Sequence, residues 1–165
     1  MSTKAKIKKA VSLEEEGLRE NEKKWGKELI AAGWTAVPNI IIKRQKQLGL
    51  EALDLNIILH LMSYWWKAGE LPFPSKKTLA EAMSVNESTI RRRIARLEAG
   101  SLVKRIERRV DGNRNKTNQY DFSGLIEAVK PFAVEELSAI EAARQEKAER
   151  TKRMRAKKPA LKAVE

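Results

Sequence analysis

Apolar side chains recur at two distinct periods along this chain, and the periods set out its elements. In Leu53–Lys67, the residues Leu55, Ile58, Leu59, Met62, Trp65 and Trp66 follow an i, i+3, i+4, i+7 pattern. That pattern predicts a core helix capped by Asp54. In 85–97, Ile90, Ile94 and Leu97 share one helical face, and Ser88, Arg92 and Arg96 fall opposite. Thr89 and Arg93 flank that polar face on one side and Arg91 lies on the other. Asn86 is placed to cap this helix and Gly100 to end it. Just upstream, 74–83 reads as a shorter helix with Ser75 as N-cap and Leu79 and Met83 on one face. The proline-rich Leu71-Pro72-Phe73-Pro74 precedes it, with Phe73 expected to pack inward. Beyond Gly100 the period shortens. Leu102–Val110 reads as a strand, Asp111-Gly112 as a hairpin turn, and Thr117–Phe122 as the return strand.

The flanks are simpler. Ala10–Ala32 reads as one helix with Val11, Leu18, Trp25 and Leu29 on a stripe. Its complementary heptad positions are mostly polar, so a good two-stranded seam is missing. Docking on its own domain is the first reading and dimerisation the second. Ile40–Ile42 fits a buried strand or the start of a helix; the first reading is a short helix from near Asn39 through Leu48, stopped by Gly49. Ser123–Val129 reads as a helix broken by Pro131, followed by a long helix over Ala133–Arg155. Val134, Leu137 and Ile140 give that helix an apolar face only at its start, and a basic tail follows. The expected class is mainly α with a small β-hairpin. The expected organisation is an extension over 1–33, a domain over 34–132, and a C-terminal helix and basic tail over 133–165.

Charge narrows the partners. Thirty-four Lys and Arg against 22 Asp and Glu give a net +12, which favours a polyanion. Nucleic acid and anionic membrane surfaces would both satisfy it. Cysteine is absent, so disulfides and thiolate metal sites are excluded. No apolar run reaches transmembrane length and no signal-peptide pattern opens the chain. A cytoplasmic protein is expected. His60 is the single histidine and lies off the apolar stripe, so a paired-histidine metal site is excluded. That disfavours nickase chemistry despite Tyr64 and Tyr120. No phosphate-binding glycine loop or dinucleotide fingerprint is present. The expectation is a non-enzyme without cofactor or metal. The pair Trp65-Trp66 raises base stacking as an idea, but helical spacing among apolar neighbours favours core positions for both.

Two short helices, the second basic, followed by a basic hairpin, make a pattern that resembles a known family. The stretches Pro-Ser-Lys-Lys-Thr-Leu-Ala at 74–80, Val-Asn-Glu-Ser-Thr-Ile-Arg-Arg at 85–92, Ile-Ala-Arg-Leu-Glu-Ala-Gly-Ser-Leu-Val at 94–103 and Thr-Asn-Gln-Tyr at 117–120 carry the likeness. They resemble the winged helix-turn-helix domains of bacterial transcription regulators and of phage and plasmid replication proteins. The resemblance implies double-stranded DNA as partner, with 87–99 in the major groove and the wing over 103–122 on flanking DNA. Ser88, Thr89, Arg92 and Arg93 are the expected base readers, and Arg96 meets phosphate. Ser75, Lys76 and Lys77 are expected on the backbone, as is the wing through one of Arg108 and Arg109, with Asn113, Arg114 and Lys116 at or near the tip. Between Glu87 and Lys116 ten cations stand against four carboxylates. A sequence-specific transcription regulator is the leading expectation, and a plasmid or phage replication initiator binding origin repeats is the nearest rival. An adaptor for an acidic protein, or an RNA binder, is the alternative of another class. A homodimer through the terminal helices is a further option.

Overall fold

The computed structural model describes residues 16–110 and 114–156, with only the backbone described at Arg109, Val110, Arg114, Asn115, Arg155 and Ala156. The chain divides into two units, Met1–Val37 and Pro38–Glu165. In the first, residues 16–25 form helix α1 and Lys27–Ala32 form α2. The single helix expected over Ala10–Ala32 is therefore interrupted at Gly26, whose φ of 87° lies outside helical space. Residues 10–15 of that expectation lie outside the described residues.

The second unit runs α3 (Asn39–Lys43), α4 (Ala52–Met62), α5 (Lys76–Ala82), α6 (Glu87–Ala99), β1 (Lys104–Val110), β2 (Arg114–Asp121) and α7 (Ser123–Ala156). This is a helix-turn-helix followed by an antiparallel two-stranded wing. Its core joins Ile57, Ile58 and Leu61 of α4, Leu79 of α5, Ile90, Ile94 and Leu97 of α6, Val103, Tyr120, Phe122 and Leu125, all buried. The α6 stripe is the one the spacing predicts. The α4 stripe is so only in part: Ile58 and Met62 are buried, whereas Leu55 and Leu59 are half-buried. That helix buries Asp54, Ile57, Ile58, Leu61 and Met62, and it ends at Met62. Nearly every α4 position is apolar, so periodicity alone leaves its rotation open. The two tryptophans part company: Trp65 stacks on Phe122 at 5.5 Å, whereas Trp66 is 73% exposed. The expectation that both are core fails for Trp66 and is met only in part by Trp65, which is half-buried. Phe73 is likewise turned outward, while Pro72 is fully buried beside it. The Pro72 carbonyl accepts the Tyr120 amide at 2.9 Å, which lays this segment along the wing.

Two helix ends use serine in the left-handed region. Ser84 has φ 53° and Ser101 φ 56°. After each, the next amide returns five residues back, Val85 to Ala80 and Leu102 to Leu97, the Schellman closure. Gly100, expected to terminate α6, has an ordinary φ of −79°, and Ser101 takes the special position. Glycine at 101 removes the steric cost of left-handed backbone but raises the entropy of the unfolded chain. We expect Ser101→Gly to stabilise the domain by about 0.5 kcal/mol, measured by urea denaturation. A loss of stability would show that the serine side chain contributes more than its backbone strain costs.

Contrary to the sequence expectation, Pro131 does not break the C-terminal helix. It sits inside the continuous α7. Proline costs about 3 kcal/mol within a helix, yet α7 runs on past it and meets the end of α3 and the residue after it. Arg44 lies 5.3 Å from the Phe132 ring, Lys43 pairs with Glu136, and Arg44 reaches Glu135. Among the described residues, no helix is long and apolar enough to cross a membrane.

Candidate nucleic-acid interface

The turn between α5 and α6 fixes how α6 is presented. Ser75 caps α5, its Oγ accepting the Thr78 amide at 2.9 Å. Asn86 occupies the N-cap position of α6 in extended backbone but makes no side-chain cap. Burying Ile90, Ile94 and Leu97 turns the opposite ridge of α6 to solvent. Ser88, Arg92, Ala95 and Ala99 are all exposed there. Thr89 is half-buried at the ridge's edge. The small side chains around Arg92 leave room for a groove wall to approach the helix.

Arg93 and Arg96 are placed differently from the expectation. Arg93 lies close enough to the apolar stripe for its side chain to be only 21% exposed. Its Nη1 is 2.6 Å from a Glu51 oxygen and 3.6 Å from Asp54 Oδ1. Arg96 pairs with the other Glu51 oxygen and donates to the Gly49 carbonyl at 3.1 Å. Asp54 is buried to 1% exposure and accepts the Glu51 amide at 3.0 Å. Two arginines of α6 thus clamp the start of α4 instead of pointing outward. The sequence carries a sign of this: Arg93 sits three residues after Ile90 and four before Leu97, at the margin of the buried stripe.

The Arg96 and then the Arg93 hydrogen bonds hold the Glu51 carboxyl below the usual carboxylate range. A carboxylate whose folded pKa is depressed stabilises above its unfolded pKa and loses that contribution as pH falls through the folded value. Glu51 starts from an ordinary value of 4.5. Wild type should therefore exceed Glu51→Gln in thermal stability at pH 7. The gap should close as the pH is taken below about 4.5. A gap independent of pH would show that the carboxylate's charge is not what matters.

On the other side of α6, Lys76 is half-buried at the start of α5. Burial, and then the charges of Arg105 and Arg91, push its pKa down from 10.5. Three cations therefore converge where α5, α6 and β1 meet. Arg91 is paired with Glu87 at 3.3 Å and Arg105 with Glu98 at 3.4 Å. Sequence reasoning singles out Lys76 and misses Arg105, whose role depends on the β1 register. Lys77 is exposed, 3.9 Å from Glu81.

In the wing, Lys104 pairs with Asp121 and Arg108 with Lys116 in register, with an irregularity between Ile106 and Arg108. Arg108 folds back on the hairpin. Its Nε donates to the Thr117 carbonyl at 2.9 Å, and its guanidinium lies 4.5 Å from the Phe73 ring centroid. Lys116 is exposed. Asn113 lies outside the described residues, as do the side chains of Arg109 and Arg114.

Residues 48–103 match a family model described as a helix-turn-helix domain. The match covers the helix-turn-helix seen in the fold. It spans α4, α5 and α6 and ends where the wing begins. Among solved structures, the chain is similar to the N-terminal domain of DnaD protein from Geobacillus kaustophilus HTA426, at 28% identity over 72% of this chain and 93% of that one, with a TM-score of 0.48. It is also similar to S. aureus MepR in a DNA complex, at 20% identity over 73% of this chain and 90% of that one, TM-score 0.39. No curated protein matches the chain.

Proposed function

We propose that the protein binds double-stranded DNA sequence-specifically and acts as a transcription regulator, with α6 in the major groove and the wing on flanking DNA. The observation that carries this reading is the outward ridge of the helix-turn-helix. Arg92 stands exposed between small residues, without an ion-pair partner among the described residues, beside the Lys76–Arg91–Arg105 cluster. An arginine so placed has both donors free for a guanine edge. A DNA phosphate at the cluster would offset the burial and the neighbouring Arg105 and Arg91 charges that disfavour the charged form of Lys76. Ser88 and Thr89 join Arg92 as base-contact candidates. Ser75, Lys76, Lys77 and Lys116 are assigned to backbone contact. Arg93 and Arg96 orient the helix, and Arg108 braces the wing. Two copies joined through terminal helices would read two half-sites, and the exposed Val134 and Leu137 of α7 are available for that.

The test is selection of bound duplexes from a random pool at about 150 mM salt, followed by affinity measurement on the selected site. Arg92→Ala is expected to weaken that site by about 10- to 100-fold and relax one position of the motif. Lys76→Ala should weaken all duplexes alike and reduce the salt slope by about one. A palindromic motif supports the dimer, and tandem direct repeats favour the replication-initiator alternative. Binding that yields no motif and collapses with salt would refute the specific-regulator reading, leaving an RNA binder or an adaptor for an acidic protein.

A further inference from the structure

Three aromatic rings that a small domain would ordinarily bury are turned outward together. Trp66 is 73% exposed, Phe73 55% and Tyr64 42%. They line one cavity of about 350 Å³ with Glu70, Leu71, Pro74 and Thr78. It sits where the loop after α4 meets the start of α5. That volume is at the small end of ligand sites, about 300–1,000 Å³, and suits a nucleoside better than a helix or a folded partner. We propose that this cavity is a stacking site for unpaired nucleobases of single-stranded DNA.

The surroundings favour a nucleotide over an apolar peptide. The Arg108 guanidinium lies over one face of the Phe73 ring, so a cation stands next to the exposed aromatic groups, and cations with aromatic faces together hold unpaired bases and their phosphates. Lys67 follows Trp66 directly and Lys77 precedes Thr78, placing two ammonium groups on segments that border the cavity. Their carboxylate neighbours are Glu70 at 2.9 Å and Glu81 at 3.9 Å. Both pairs are well exposed, and such pairs contribute little, so a phosphate can compete for either lysine. The +12 charge of the whole chain adds a long-range attraction for a DNA strand. The cavity also adjoins Ser75-Lys76-Lys77, the segment assigned above to the duplex backbone. A strand leaving a melted duplex there would find the rings within a few residues of the groove-binding helix. This gives the protein an affinity for opened DNA separate from the α6 site.

The experiment measures anisotropy of a labelled oligothymidylate of about 12 nucleotides at about 150 mM salt with the full chain. An abasic strand of equal length is the comparison. Wild type is expected to bind the thymidylate at least about tenfold tighter than the abasic strand, because stacking needs bases. Trp66→Ala should weaken thymidylate binding about tenfold, and Trp66→Phe about threefold or less, since a ring remains. Trp66 is exposed, so its variants should melt with wild type, and their affinity for the selected duplex should stay within about twofold. Equal binding of the two strands, or an unchanged affinity in Trp66→Ala, would overturn the proposal. Arg92→Ala separates the two sites. It should lose the duplex and keep the thymidylate. If it keeps both, the duplex reading fails while the stacking site stands.

Discussion

Gly124→Ala is expected to cost the domain about 3 kcal/mol or more, lowering its melting temperature by over about 10 °C. A Cβ built on Gly124 would stand 1.8 Å from the Ser101 carbonyl oxygen and 3.0 Å from its carbon. Both are backbone atoms, so no rotamer change relieves the contact. The neighbouring Leu125 amide donates to the Leu102 carbonyl at 3.0 Å, which ties the first turn of α7 to the chain leaving α6. Leu125 and Phe122 are fully buried on either side. Moving α7 out by the ångström or more that a methyl group requires would break that hydrogen bond and unseat both side chains. Overpacking of this kind costs about 1–3 kcal/mol and sometimes more, against a total stability of about 5–15 kcal/mol. Gly69→Ala is the internal control, because a Cβ there meets nothing within 4 Å. It should change stability by less than about 1 kcal/mol. Urea denaturation of both variants decides the matter. A Gly124→Ala variant within about 1 kcal/mol of wild type would mean the junction yields cheaply.

Gly124 also marks where sequence reading stops. In one dimension it is an ordinary glycine near a helix start. Its necessity arises from the carbonyl of Ser101, on the far side of the wing in sequence, and no local pattern encodes that approach. The same division runs through the rest of the domain. The stripe Ile90, Ile94, Leu97 is legible because polar residues surround it, so α6 has one way to lie down. In α4 apolar residues cover most of the surface, and the buried side is decided by neighbours. Pro131 reads as a break because a lone helix would break there. In the fold α7 runs on through it, with Phe132, Glu135 and Glu136 in contact with Lys43 and Arg44. The serines at 84 and 101 defeat the glycine rule for the opposite reason. Closure of the ends of α5 and α6 outweighs a modest steric cost at each.

At the candidate interface, Arg92 is legible because it lies opposite the stripe. Arg93 and Arg96 are not, because their fate depends on Glu51 and Asp54, on a different helix far upstream. A run of arginines reads as a uniformly cationic face. In the fold it divides into Arg92, which points outward, Arg91, which is exposed but paired with Glu87, and Arg93 and Arg96, which clamp Glu51. Charge counted along the chain therefore overstates what is available to DNA. The Trp65-Trp66 pair shows the same limit: of two adjacent, chemically identical residues, one is half-buried against Phe122 and the other is in solvent.

The clamp sets up the second large effect. Asp54→Ala is expected to destabilise the domain by about 3 kcal/mol. Asp54 is buried, with Arg93 and Arg96 nitrogens each 3.6 Å from its carboxylate and the Glu51 amide hydrogen-bonded to it. Removing one member of a buried pair costs about 3–5 kcal/mol, because the other charge is left desolvated. Here the lower end applies, since Glu51 is half-exposed and still reaches both arginines. Loss of the Glu51 amide contact frees an N-terminal donor of α4 and adds to the cost. Asp54→Asn keeps an acceptor for that amide and should recover part of the loss. In the Asp54→Ala background, Arg93→Ala should cost less than it does alone, because its buried partner is already gone. A double-mutant cycle with coupling above about 1 kcal/mol would establish the pair. Additive losses would place the stability of α4 elsewhere and detach the orientation of α6 from its arginines. The functional consequence separates the clamp from the reading side chain. Arg92→Ala should leave melting unchanged while it weakens duplex binding, whereas Asp54→Ala should weaken both. Stability lost in Asp54→Ala with duplex affinity intact would show that α6 keeps its orientation without the Glu51–Asp54 clamp.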